Sequence, residues 1–202
     1  MKKIVTFLAV AIALSSCSND DDKNNKEEFF NLEVGNQWVY KRYEVNESKE
    51  TYFGKTDTVK VVSTETIDGK QYFKITHTDW IGGQEEFLRI DNNNHLVSSS
   101  GFVQHPGTDK SFTDSRASNS TADFGTLSYT LKDMTKITVE GKDYEVYPYS
   151  GYFTNSPPNN FPEGESSIDA YSKGIGFVIK KYRYISSATG FIEYRLASYE
   201  LK

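Results

Sequence analysis

Short runs rich in Val, Ile, Thr, Tyr and Phe recur along the chain, and Gly, Asn and Ser separate them. No stretch keeps its apolar residues at the 3.6-residue period of a helix, so the pattern predicts antiparallel β structure. Strands are expected at residues 37–45, 58–67, 71–78, 85–90, 95–99, 136–140, 144–149, 176–185 and 191–200. The expected fold class is mainly β: a single antiparallel, strongly curved sheet, a half-barrel or barrel, with few short helices.

Two turns share a local pattern, Thr66-Ile67-Asp68-Gly69-Lys70-Gln71-Tyr72 and Thr138-Val139-Glu140-Gly141-Lys142-Asp143-Tyr144. In each an acidic residue and a glycine separate extended runs, as a tight hairpin requires. Duplication or convergence on one good turn would both produce the repeat. In the last hairpin, alternation puts Phe177, Ile179 and Ile185 on one face and Val178, Tyr182 and Tyr184 on the other. Both faces are partly apolar, so the second face must be covered by a sheet, a short helix, a ligand or a partner. Residues 104–125 and 154–165 are polar and rich in Ser, Asn, Gly or Pro, and are expected to be long loops, functional or disordered.

The start of the chain has a different pattern. Met1-Lys2-Lys3 precedes an apolar run of 11 residues, Ile4 to Leu14, broken only by Thr6. A membrane-spanning helix needs about 20 residues, so residues 1–16 are expected to be a secretory signal peptide. Leu14-Ser15-Ser16-Cys17 resembles the lipobox of bacterial lipoproteins. That resemblance implies that Cys17 carries a diacylglycerol and usually a further acyl group on its amine. One acyl chain anchors marginally and two or more anchor durably. Cys17 is the only cysteine, so no intramolecular disulfide is possible. Residues 17–28 are expected to form a lipidated, disordered tether ahead of one β-rich domain, residues 29–202.

Ser18 follows the cysteine where an Asp would favour retention, which resembles lipoproteins sent to the outer membrane of Gram-negative bacteria. Ser18-Asn19-Asp20-Asp21-Asp22 resembles the acidic export signal of Bacteroidetes surface lipoproteins, and a solvated spacer would have the same composition. The expected location is the outer membrane, facing the cell surface or, alternatively, the periplasm. Removing Lys2 and Lys3 from the 23 basic side chains leaves 21 against 28 acidic ones, a balance of −7. Without a dominant basic patch, a nucleic-acid partner is not expected.

No catalytic motif is found. Gly164-Glu165-Ser166-Ser167-Ile168 lacks the second glycine of a nucleophile elbow. His77, His95 and His105 lie on different predicted elements without metal-ligand spacing, so no metal and no cofactor is expected. Asp91-Asn92-Asn93-Asn94 lacks the glycine and distal glutamate of a calcium loop and is read as turn chemistry. Glu85 and Glu86 are adjacent on a strand, so they point to opposite faces and cannot act as a pair.

Aromatic residues are the remaining signal, with 14 Tyr, 13 Phe and 2 Trp. Tyr147, Tyr149, Tyr152, Phe153 and Phe161 form a candidate ligand surface for a sugar or an amphipathic molecule, against core packing, which the same residues also favour. Asp57-Thr58-Val59 resembles the acceptor of Bacteroidetes O-glycosylation, which makes Thr58 a candidate modification site.

Val34-Gly35-Asn36-Gln37-Trp38-Val39-Tyr40 and Tyr171-Ser172-Lys173-Gly174-Ile175-Gly176-Phe177-Val178, with Ser198-Tyr199-Glu200-Leu201 at the end, resemble a family of uncharacterised Bacteroidetes lipoproteins. At fold level the layout is similar to the half-barrels of periplasmic lipoprotein carriers, an analogy that assigns no activity. The function expected is a lipid-anchored, nonenzymatic envelope or cell-surface protein that binds an apolar, amphipathic or glycan ligand or an envelope partner. The alternatives are a surface hydrolase whose site is assembled from distant residues, and a purely structural envelope lipoprotein.

Overall fold

The computed structural model describes residues 29–47, 49–78, 85–109, 111–114, 125–183 and 190–202. The signal segment at 1–16, the tether at 17–28 with Cys17, Ser18, Asn19, Asp20, Asp21 and Asp22, and the hairpin residues Tyr184 and Ile185 lie outside the described residues.

Thirteen strands are present: β1 (Gln37–Asn46), β2 (Lys49–Ile67), β3 (Lys70–Thr76), β4 (Glu85–Ile90), β5 (Leu96–Ser98), β6 (Val103–His105), β7 (Ser111–Asp114), β8 (Gly125–Leu131), β9 (Thr135–Val139), β10 (Lys142–Asn155), β11 (Gly164–Ser172), β12 (Gly176–Arg183) and β13 (Phe191–Glu200). They form one antiparallel sheet in the order β6-β5-β4-β3-β2-β1-β13-β12-β11-β10-β8-β7, with β9 paired to β10. Most neighbours follow one another in sequence, and the β1–β13 pairing joins the two meanders at the middle of the sheet. The sheet curls into a half-barrel. Its curl brings the ring of His105, on the β6 edge, to 5.1 Å from Tyr171 of β11 and 5.4 Å from Tyr149 of β10.

Both predicted turns are hairpins of the expected kind. Asp68 and Gly69 have φ of 49° and 73°, and Glu140 and Gly141 have 49° and 76°. Positive φ at both central residues is what a two-residue hairpin loop needs to match strand twist. The expected mainly β fold class is found, and no helix occurs among the described residues. Two expectations are corrected. The supposed loop at 104–125 includes the end of β6 and all of β7, and the one at 154–165 shrinks to the segment between Asn155 and Gly164.

Strand alternation separates a lumen face from an outer face. On β1, Trp38 and Tyr40 turn inward, so Lys41 and Tyr43 turn outward. The outer face is covered by another part of the sheet, as the two-sided apolar pattern required. The β9–β10 hairpin reaches back over β1, where Glu140 accepts hydrogen bonds from the Lys41 ammonium and, at 2.7 Å, from the Tyr43 hydroxyl. Beside this clasp Arg195 donates to Glu50 at 2.5 and 2.7 Å and to Glu193 at 2.6 Å. Under the arm, Val139, Tyr144 and Val146 are buried in the same core cluster as Leu196 and Val178. Glu140→Ala should therefore cost about 1–2 kcal/mol. It should also raise amide exchange in β9 ahead of β12, and unchanged β9 protection would count against the clasp.

Candidate functional site

The lumen wall is set by cross-strand register. Tyr40 stands opposite Asp57 and Trp38 opposite Val59 across β1–β2, and Ile75 stands opposite Glu86 across β3–β4. On the other side Lys180 pairs with Tyr194, and Tyr171 with Phe177. Together with Asn31, Leu32, Leu88 and Leu96, these residues line a cleft with a cavity of about 70 Å³. Its walls are mainly aromatic and aliphatic, with a polar group on one side.

Gly176 explains the glycine-rich approach to the last hairpin. Its φ is 126°, and a Cβ there would lie 2.9 Å from Nε1 of Trp38. Only glycine lets the backbone come this close at that dihedral. The indole N–H donates to the Ile175 carbonyl at 2.6 Å, which fixes the ring as a wall of the cleft. The Tyr40 hydroxyl donates to the Phe177 carbonyl at 2.9 Å. Burial holds the Tyr40 phenol well above its usual pKa, and the nearby Tyr171 and Asp57 add to the effect, so it stays neutral.

The polar group is built around His77. Asp57, 1% exposed, accepts the Thr78 N–H at 2.8 Å through Oδ1, and its Oδ2 lies 3.0 Å from His77 Nδ1. His77 Nε2 lies 3.5 Å from Glu86 Oε2, and Gln104 donates to Glu86 Oε1 at 3.1 Å. Burial works to lower the His77 pKa, but the hydrogen bonds to Asp57 and Glu86 outweigh it and the net shift is upward. Burial likewise works to raise Glu86, and contacts with His77 and the charge of Lys180 bring it down. The ring is held between two carboxylates, which favour its charged form. Across the lumen Asp169, paired with Lys180, is pushed up to about 6 by burial, with Lys180 opposing.

This arrangement limits the chemistry. The two carboxylates sit on opposite nitrogens of one ring, so the three groups cannot converge on a single metal ion. Among the described residues no cluster of three or more His, Cys, Asp or Glu is placed to hold one. Both His77 nitrogens are turned to carboxylates, Nδ1 to Asp57 and Nε2 to Glu86.

No protein-family model matches the sequence, and no curated relative matches it either. Two solved structures are similar to the chain. One is a candidate lipoprotein from Parabacteroides distasonis, 14% identical over 85% of this chain and 98% of that one, with a TM-score of 0.47. The other is a candidate exported protein with a YmcC-like fold from Bacteroides fragilis, 12% identical over 85% and 98%, with a TM-score of 0.45.

The residues singled out from sequence are distributed unevenly around this site. Tyr147, Tyr149, Tyr152 and Phe153 all lie on β10, but alternation divides them. Tyr149 and Phe153 are buried on the lumen side, where Tyr149 stacks on Tyr129 at 5.1 Å, and Tyr147 meets Phe29 at 5.4 Å. Tyr152 is 52% exposed on the other face, and Phe161 is half-buried in the loop after β10. They do not form one surface. Thr58 is half-buried in β2 and pairs with Val39, and the acid of its motif, Asp57, is engaged by His77 and Thr78. Glu85 and Glu86 do point apart, Glu85 outward to Lys74 at 2.7 Å and Glu86 inward to His77. His95 lies between Asp109, at 2.5 Å, and Asp91, at 3.7 Å, and ties two surface turns together.

Sequence reasoning had Asp57, His77 and Glu86 in view separately but did not join them. The available signal was their position near the facing ends of three consecutive predicted strands, Asp57 just ahead of 58–67, His77 late in 71–78 and Glu86 early in 85–90. Without the register it could not be read.

Proposed function

We propose that this chain is a nonenzymatic lipoprotein of the bacterial envelope, held by acyl chains on Cys17, whose half-barrel lumen binds a small amphipathic molecule. The observation that carries this reading is the cleft itself: apolar walls from Trp38, Ile75, Leu88 and Phe177 meet a few polar groups, His77 and Glu86 on one side and Lys180 on the other. Pockets for small molecules combine these two features, an apolar lining and a few fixed polar groups that set orientation. The engagement of both His77 nitrogens supports binding over hydrolysis, because no nitrogen is left to activate a nucleophile.

Leu14-Ser15-Ser16-Cys17 supports the anchor, and Asp20, Asp21 and Asp22 support display on the outer surface. Cys17→Ser should release the protein from membranes, and unchanged fractionation would contradict the anchor. The binding reading is tested by extracting the wild type and Leu88→Trp, which fills the cleft, from the native envelope. Mass spectrometry should find one small amphipathic species enriched with the wild type and absent from the variant. Equal recovery, or none from either, would overturn the assignment.

A further inference from the structure

One carboxyl on the lumen face has no hydrogen-bond donor from the fold. Asp169 of β11 stands in register with Tyr149 of β10 on one side and Lys180 of β12 on the other, so the three side chains share a face. Lys180 lines the cleft, and so does Tyr171, two residues further along β11, which puts Asp169 at its border. The side chain is half-buried, and burial pushes the carboxyl up to about 6 against the charge of Lys180 alone, with no hydrogen bond reaching it among the described residues. Buried acceptors are ordinarily satisfied. Asp57 follows that rule, taking the Thr78 N–H at 2.8 Å and standing 3.0 Å from His77. A desolvated carboxyl without donors lowers stability, so the partner of Asp169 has to come from outside the fold.

The charges around it select that partner. Lys180 lies 4.5 Å over the Phe177 ring, and its charge acts both on Asp169 and on Glu86 of the facing wall. Acceptor, donor and acceptor thus follow one another across the lumen. A carboxylate or phosphate drawn to Lys180 would meet two carboxyls beside it. An ammonium drawn to Asp169 or Glu86 would meet Lys180 and the His77 ring, whose charged form is favoured. Either head carries like-charge repulsion in a site where it is poorly screened. A neutral polyol carries none, and each hydroxyl both donates and accepts, so neighbouring hydroxyls satisfy carboxylate and ammonium in turn. The apolar walls suit the same head. Trp38, Tyr171 and Phe177 offer ring faces, against which a pyranose sets its C–H groups while its hydroxyls point outward.

We infer that the cleft extends to Asp169 and takes a neutral sugar ring as the polar head of its ligand, with hydroxyls donating to Asp169 and Glu86 and accepting from Lys180. This inference rests on the binding reading above and names the class of molecule that the site takes.

The test uses residues 17–202 carrying Cys17→Ser, which contain the whole described fold, and calorimetry with hexyl glucoside, hexylamine and hexanoate as probes of one chain length. The parent should bind hexyl glucoside more tightly than either charged probe, by about tenfold or more. Asp169→Asn should weaken hexyl glucoside by about tenfold without weakening hexanoate. Its melting temperature at pH 8 should be unchanged or raised, because the substitution removes a buried charge and no hydrogen bond of the fold; Asp169→Ala serves if the amide variant does not fold. A charged probe that binds the parent as tightly as the glucoside, or a variant with the parent's glucoside affinity, overturns the sugar head and leaves the binding reading standing. A marked fall in the melting temperature of Asp169→Asn would make Asp169 a structural partner within the fold and overturn its role in the cleft. If the parent binds none of the probes, the sugar head is overturned, and the envelope extraction with Leu88→Trp decides the binding reading separately.

Discussion

Replacing Asp57 with Ala should lower the stability of the protein by about 3–5 kcal/mol, because it breaks a buried ion pair from one side. The variant would leave the Thr78 N–H without its acceptor and take from the His77 ring its contact with Asp57. For a chain of this length, the melting temperature should fall by about 6–20 °C. Asp57→Asn keeps an oxygen for Thr78 and should cost less. The pH dependence adds a signature of its own. The His77 pKa is raised in the folded state, so its stabilisation is fully present below the ordinary histidine value and is lost as pH rises through the folded value. Asp57→Ala should flatten that decline. A loss under about 1 kcal/mol, or an unchanged profile, would mean that the cluster is not the electrostatic unit described.

His105 should make the protein acid-sensitive in the opposite sense. Its ring is fully buried among Phe29, Phe30, Tyr149 and Tyr171, and Nδ1 accepts the Gly107 N–H at 3.1 Å. Burial depresses its pKa to about 3; the Tyr147 backbone opposes this, and the charge of His95 adds to it. A histidine that stays neutral when folded but takes up a proton when unfolded stabilises above the unfolded value of about 6.5. That contribution drains away between there and pH 3, up to about 5 kcal/mol in all. Asp169 works against it, since a carboxyl raised to about 6 favours the fold as it is protonated on acidification. Glu86, lowered overall, adds to the loss at still lower pH. In chemical denaturation between pH 6.5 and 4, His105→Leu should reduce the slope by close to one proton while lowering stability at neutral pH. A variant with the wild-type slope would show that His105 is not the acid-sensitive group.

Much of the architecture was legible because it rests on local chemistry. Asp68-Gly69 and Glu140-Gly141 announced two hairpins, and the alternation in residues 176–185 and 191–200 called for a cover on the second face, which the β9–β10 arm supplies. What escaped was polar. β11 reads Gly-Glu-Ser-Ser-Ile-Asp-Ala-Tyr-Ser, with too few apolar positions to show a period of two, while β8 carries one short alternation, Leu127, Tyr129 and Leu131 around Ser128 and Thr130, that was passed over beside a long polar stretch. The first half of β2, from Lys49 to Thr56, is exposed throughout and extends the β1–β2 ribbon beyond the reach of β3, so burial never imprinted a pattern on it. The site was harder still. Asp57 appeared only as part of a modification motif and Glu86 as half of an adjacent acidic pair. They meet His77 because β2, β3 and β4 adopt one register, and register is a property of the whole sheet. The packing of Phe29 and Phe30 was invisible for a related reason: they follow a polar stretch of sequence, and nothing local says that they join the core.

The most direct measurement is a structure of the protein purified from its native envelope with nothing added. The account predicts continuous density for a bound molecule between Trp38, His77 and Phe177, with its polar end toward Glu86 and Lys180. A lumen holding only discrete waters in that cleft, with every wall residue in place, would contradict it.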